Sequence, residues 1–253
     1  MPKRLAILLI ALLAAACGGG SPSASTVILS SSAPSPTATK PGPSTAELTP
    51  AATKVEPTEE PTQPAEQQDL KVLEYGYTHF PGDTDYVQYG VILENPNKSG
   101  WLATYVDVTI AFLDKNGDVL TTEDETISNA LPGQRVAIGS AAFDTEGVTK
   151  MSVQVDADWE EIDYEVGEFV PSHLRLSGDE YSTKVTGIMM CNFDKPQEYV
   201  TVVAILRNSS GRVIGGDHDI IENLRCNSTG KAFSIETTGK IRRAVKAEVY
   251  AST

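Results

Sequence analysis

"VTIAFLDKNGDVL" at 108–120 and "VVAILRNSSGRVI" at 202–214 decide how this chain folds. In the first stretch Val108, Ile110 and Phe112 alternate with Thr109 and Ala111, the two-residue period of a half-buried strand. Val106 and Asp107 carry the same alternation backwards. Asp114-Lys115-Asn116-Gly117-Asp118 then turns the chain, and Asn-Gly predicts a tight hairpin whose two central residues both take positive φ. The second stretch turns at Asn208-Ser209-Ser210-Gly211, placing Gly211 on Gly117 and Val213 on Val119. One antiparallel hairpin is written twice.

The repeat continues outward on both sides. "YGVILENPNKS" (89–99) aligns with "TGIMMCNFDKP" (186–196), matching Gly90 to Gly187, Asn95 to Asn192 and Lys98 to Lys195. Met151, Val153 and Val155 fall opposite Val245, Ala247 and Val249. Gly133, after Pro132, opens a further strand in the first copy. Each copy therefore reads as about six or seven short strands with turns roughly every 8 to 12 residues, the spacing of a sandwich. The fold class expected is all-β: two tandem immunoglobulin-like antiparallel β-sandwich domains, at 69–165 and 166–253.

What precedes them is of a different kind. Lys3 and Arg4 are followed by an apolar run at 5–16 and then by Cys17, Gly18, Gly19 and Gly20. Two cations, an apolar run and small residues make a secretory signal peptide at 1–16. The run is well short of the roughly 20 residues a membrane-spanning helix needs. Leu13-Ala14-Ala15-Ala16-Cys17 resembles the lipobox of bacterial lipoproteins, with Ala14 where Leu is usual. That resemblance implies acylation of Cys17 and a protein held on the extracytoplasmic side of the cell membrane. Residues 17–68 hold nine prolines and no aromatic residue, too little apolar surface to offset ordering entropy. They are expected to be a disordered tether with ends about 40 Å apart as a coil.

The repeated pattern itself resembles the FxLYD-type immunoglobulin-like modules of bacterial envelope proteins. Gly90, Asn95, Phe112, Asp114, Gly117, Leu131, Pro132 and Gly133 carry the resemblance in the first copy. The second copy departs from it at Leu206, Asn208 and Leu224-Arg225-Cys226. The resemblance implies a shape rather than an activity, because such modules lack a shared chemistry.

With Cys17 assigned to the anchor, Cys191 and Cys226 remain, both in the second copy. An oxidising envelope favours their pairing, and the alternative is two free thiols. In the assumed sandwich Cys226 opens the strand that pairs with the one Cys191 ends. No enzyme is expected: His79, His173 and His218 are isolated, and no nucleophile elbow, P-loop or dinucleotide glycine pattern occurs. Asp217-His218-Asp219 would point to alternate faces of a strand and chelate poorly. No cofactor is expected. Calcium is the one ion to weigh, at Asp114, Asn116 and Asp118, although Gly117 is fourth rather than sixth in that loop. The acidic residues from Asp156 to Glu168 read as a solvated connection between modules.

Charge is unevenly divided. Residues 68–170 carry 20 acidic and 5 basic side chains, residues 171–253 carry 9 and 11. This balance argues against a nucleic-acid partner. Lys240, Arg242, Arg243 and Lys246 are the cationic binding candidates, for an acidic partner, a wall polyanion or the acidic first module. The function expected is a non-catalytic binding or scaffold module for an envelope protein, with a glycan- or calcium-binding surface protein as the alternative. Exposed Tyr75, Tyr77, Tyr86, Tyr89, Trp101 and Tyr105 would serve a glycan, whereas buried ones would serve the core.

Overall fold

The computed structural model describes residues 66–80, 83–98, 100–179, 181–226, 229–237 and 239–253. The leader, Cys17 and nearly all of the tether lie outside the described residues. Among those described there is no helix. The first copy supplies β1 (Lys71–Phe80), β2 (Asp83–Glu94), β3 (Trp101–Leu113), β4 (Val119–Ala130), β5 (Arg135–Phe143) and β6 (Lys150–Glu161). The second supplies β7 (Phe169–Gly178), β8 (Thr183–Cys191), β9 (Gln197–Arg207), β10 (Val213–Leu224), β11 (Lys231–Glu236) and β12 (Lys246–Ser252). They form four three-stranded antiparallel sheets: A (β1-β2-β5), B (β4-β3-β6), C (β7-β8-β11) and D (β10-β9-β12). Sheets C and D repeat the strand order of A and B six strands later. The all-β reading with tandem sandwiches holds.

Period-two patterning builds each core. Val106, Val108, Ile110 and Phe112 of β3 are buried, while Asp107 and Thr109 between them are exposed. They meet Val87, Tyr89, Val91 and Leu93 of β2 between sheets A and B. Sheets C and D enclose the equivalent core around Met189, Val202, Leu206, Phe233 and Ile235. One cross-strand pair is reversed between the copies. Tyr89 stands opposite Ser140 in sheet A, whereas Gly187 stands opposite Phe233 in sheet C. A Cβ on Gly187 would lie 2.7 Å from the Phe233 ring. Large and small have changed strands, and the core volume is kept.

Four expectations are corrected. Met151, Val153 and Val155 fall opposite Ala247, Val249 and Ala251, two residues on from Val245, Ala247 and Val249, because Met151 pairs with Phe112 where Ala247 pairs with Leu206. The alignment of Gly90 with Gly187 is one residue out of phase: Gly90 lies between core-facing Tyr89 and Val91, on the outer face, and Gly187 points into its own core. The 114–118 hairpin has positive φ at Gly117 alone (+92°), not at Asn116, so it is a type I turn closed by a glycine bulge. The acidic stretch 156–161 is not a connection but the second half of β6, in register with β3.

The two sandwiches stack face to face. Ile92 and Ala137, on the outer face of sheet A, pack with Val203, Ile205 and Val213 on the outer face of sheet D. At the centre Gly76, Gly90 and Gly139 pair directly across β1, β2 and β5, a row with no side chains. β10 crosses this row. Val213 sits over Gly76, Gly215 over Gly90, and Gly216 with Asp217 over Gly139. A Cβ on Gly76 would overlap the Val213 carbonyl oxygen, and one on Gly90 would stand 3.0 Å from the Gly215 oxygen. Glycine in mid-strand commonly marks such a backbone approach.

Candidate functional site

Polar groups at the junction tie the sandwiches together around the glycine row. Gln88, fully buried in β2, donates from Nε2 to the Gly216 carbonyl (2.8 Å) and to Asp217 Oδ2 (3.0 Å). His218 donates from Nδ1 to the Gly139 carbonyl at 3.0 Å. Gln134 Nε2 donates to the Ala251 carbonyl at 2.8 Å.

Arg207, at the end of β9, is the charged centre of this seam. It is 8% exposed and holds Glu74 of β1 with both terminal nitrogens, at 2.5 and 3.2 Å. Its Nε donates to Glu248 (2.9 Å), and Nη1 also reaches the Gly211 carbonyl (2.7 Å). The hydrogen bond it donates to Glu74, more than any other influence, holds the guanidinium protonated. Burial alone would raise the Glu248 carboxyl; hydrogen bonds from Lys246 and Arg207 outweigh it and lower the group. Burial first, then the Glu248 charge, pushes the Tyr250 phenol up to about 12. A buried guanidinium serving two carboxylates across a boundary fixes orientation as much as it adds stability.

The outer faces of sheets B and C are left to solvent. On sheet B, Asp107 stands directly opposite Asp156, a like-charge pair of the kind that weakens a sheet. Thr126 donates to Asp107 (3.0 Å) and Thr109 to Asp124 (2.8 Å). β4 is an edge strand, and Glu123 and Glu125 alternate with outward-facing Asp124. Glu125 accepts the hydroxyl of fully buried Tyr89 at 2.7 Å. Burial, with Glu125 and Asp124 nearby, raises the Glu123 carboxyl. Inward-pointing charge on an edge strand discourages edge-to-edge pairing.

The residues singled out by sequence fall as follows. Cys17 lies outside the described residues. Cys191 and Cys226 are joined, with Cys226 in the connection between β10 and β11 rather than opening β11. Asp114 accepts from the Asn116 and Asp118 amides at 2.7 and 2.9 Å and from Asn116 Nδ2 at 2.9 Å. These bonds, the Asp118 amide foremost, lower its pKa. Asn208 repeats that turn, accepting from Ser210 and Arg212 amides at 3.0 and 3.1 Å. Among the described residues, no group of three or more His, Cys, Asp and Glu side chains is placed to hold a metal ion.

The four cations at 240–246 do not act together. Lys246 bonds Glu248 at 2.7 Å, and Lys240 is close enough to Asp179 to help lower that carboxyl, although the Tyr181 and Ser182 amides contribute more. Arg243 instead lines a cleft at the module junction. Of the aromatics, Tyr86 and Tyr89 are buried, while Tyr75 and Tyr105 are 46% and 69% exposed.

Sequence reasoning missed Gln88, Arg207 and the glycine row. A usable signal was present in β2. The middle of its outer face reads Tyr86, Gln88, Gly90 and Ile92, with no charge, as expected of a strand covered on both sides there. No model of a known protein family matches this chain, and no curated protein matches it.

Proposed function

We propose that this protein is a lipid-anchored envelope lipoprotein whose two FxLYD-like modules form a non-catalytic scaffold for a protein partner. The observation that carries this reading is the glycine row under β10, which joins two sandwiches without a spacer. Such a junction makes one rigid body with sheets B and C outward at opposite ends, rather than two modules swinging on a linker. Rigidity of that kind presents two surfaces at a fixed separation, the property a scaffold requires and one that reduces the ordering cost of binding. The apolar leader ending at Cys17 and the proline-rich 17–68 segment supply an anchor and reach.

The test is crosslinking in cells followed by capture of the tagged full chain, beside Cys17→Ala. The reading expects the wild type in the membrane fraction with a discrete envelope protein crosslinked to it, and the variant released from the membrane. Equal membrane retention of Cys17→Ala would refute the anchor. Background proteins alone in both captures would refute a stable protein partner.

A further inference from the structure

We propose that the cleft at the module junction, walled by β1, the start of β6 and the β9–β10 turn, binds an anionic polysaccharide. The cleft is open to solvent and has a volume of about 690 Å³. Lys150 of the first sandwich and Arg212 and Arg243 of the second line it together. The site exists only because the sandwiches are stacked, and it stands apart from the protein-partner reading.

The electrostatics set this place apart from the rest of the molecule. The chain carries a net charge of −14, and its first module has four acidic side chains for every basic one. Yet, among the described residues, the cleft wall gathers three cations with Glu74 as its single carboxylate, and both Glu74 oxygens are already held by Arg207. Among the described residues, Lys150, Arg212 and Arg243 form no ion pair. Like charges set in a cleft with low-dielectric walls focus a positive potential, which draws an anion from solution. Two guanidinium forks match the paired oxygens of a carboxylate or phosphate.

Tyr75 distinguishes a sugar from other polyanions. It lines the same cleft and is 46% exposed, offering an apolar ring with a hydroxyl at its tip beside the cations. A pyranose presents apolar C–H faces and hydroxyl edges in one ring, so a uronate or sugar phosphate uses ring and cation together. An acidic peptide uses the cations alone.

Titration of the full chain at low salt with polygalacturonate, a phosphomannan, neutral dextran and polyglutamate tests this. Saturable binding of polygalacturonate or phosphomannan is expected, weakening as salt rises; the tighter of the two names the anion. The double variant Arg212→Glu/Arg243→Glu should weaken it by about tenfold or more, an energy equivalent to losing one good charged contact. Arg242→Glu, adjacent in sequence but outside the cleft, should stay within about twofold of wild type on the same scale. Tyr75→Ala should weaken glycan binding and leave polyglutamate unchanged. Unaltered thermal midpoints for these surface variants would show that folding is intact. Absence of binding to either charged glycan, or an equal loss in Arg242→Glu, would overturn the proposal. So would polyglutamate binding that matches the glycans and ignores Tyr75→Ala, which would assign an acidic protein instead.

Discussion

Gly139 and Gly216 face each other across the module junction with no room for one more carbon between them. A Cβ on Gly139 would stand 2.7 Å from the Gly216 carbonyl carbon and 2.5 Å from the Asp217 nitrogen. Both walls are backbone, so no side chain can swing aside to make space. Gly139→Ala is therefore expected to destabilise the protein by about 1–3 kcal/mol, the range for overpacking. Lys115→Ala in the exposed 114–118 turn should stay within about 0.5 kcal/mol. Denaturant unfolding of both variants checks this, and a neutral Gly139→Ala would count against the close approach.

Arg207 is the second lock. Its removal leaves Glu74 and Glu248 without their shared partner at the seam. Arg207→Ala should cost about 3 kcal/mol, the low end for breaking a buried pair, because Glu74 itself is 49% exposed. Arg207→Lys should also destabilise, since one ammonium cannot span both Glu74 oxygens. Equal stability of Arg207→Lys and wild type would contradict the bidentate role.

Two carboxylates give opposite responses to acid. Glu248 has a lowered folded pKa, so its contribution is present above the ordinary glutamate value, about 4.3, and is lost as pH falls through the lower folded value. Glu123 has a raised folded pKa, so it favours the folded state only when protonated, and that benefit is lost as pH rises through the folded value. Glu123→Gln should therefore stabilise at neutral pH by a few tenths of a kcal/mol, screening at this half-open position keeping the effect small. The gain should vanish on acidification. Stability curves of wild type and Glu123→Gln between acid and neutral pH separate the two groups.

The disulfide closes a loop with a sequence separation of 35. Chain entropy assigns such a cross-link about 3–4 kcal/mol. Cys191→Ser/Cys226→Ser should lower the stability of the second sandwich by that amount, and reductant should produce the same shift in wild type only. A reductant shift that persists in the double variant would point to another cause.

The reversed pair offers a double-mutant cycle. Gly187→Ala alone presses on the Phe233 ring and should cost about 1–3 kcal/mol. Phe233→Leu alone opens part of the core. Together the two should cost less than their sum, because each relieves the other. Strict additivity would show that the ring does not fill the space above Gly187.

The strands and their duplication could be read from sequence because each buries one face, and a two-residue period records that directly. Val106 to Phe112 in β3 and the turns at Asp114 and Asn208 are of this kind. The phase of β2 against β8 was not legible. Residues 86–93 of β2 and 185–191 of β8 carry no charge on either face, so matching glycines gave an alignment one residue out. The stacking of sheet A on sheet D was hidden for a related reason. Gly76, Gly90 and Gly139 lie far apart in sequence and become a row only once register aligns them. The cleft needed that stacking too, since Lys150, Arg212 and Arg243 come from three separate segments.

The rigid junction is the centre of this account, and a distance measurement tests it most directly. Spin labels at Thr109→Cys on sheet B and Ser234→Cys on sheet C, both exposed and on the two outward ends, would report the separation by pulsed electron resonance. One narrow distance distribution, unchanged by solvent viscosity or salt, is the predicted result. A broad or bimodal distribution from labels on folded protein would mean that the sandwiches move independently, and would contradict the account.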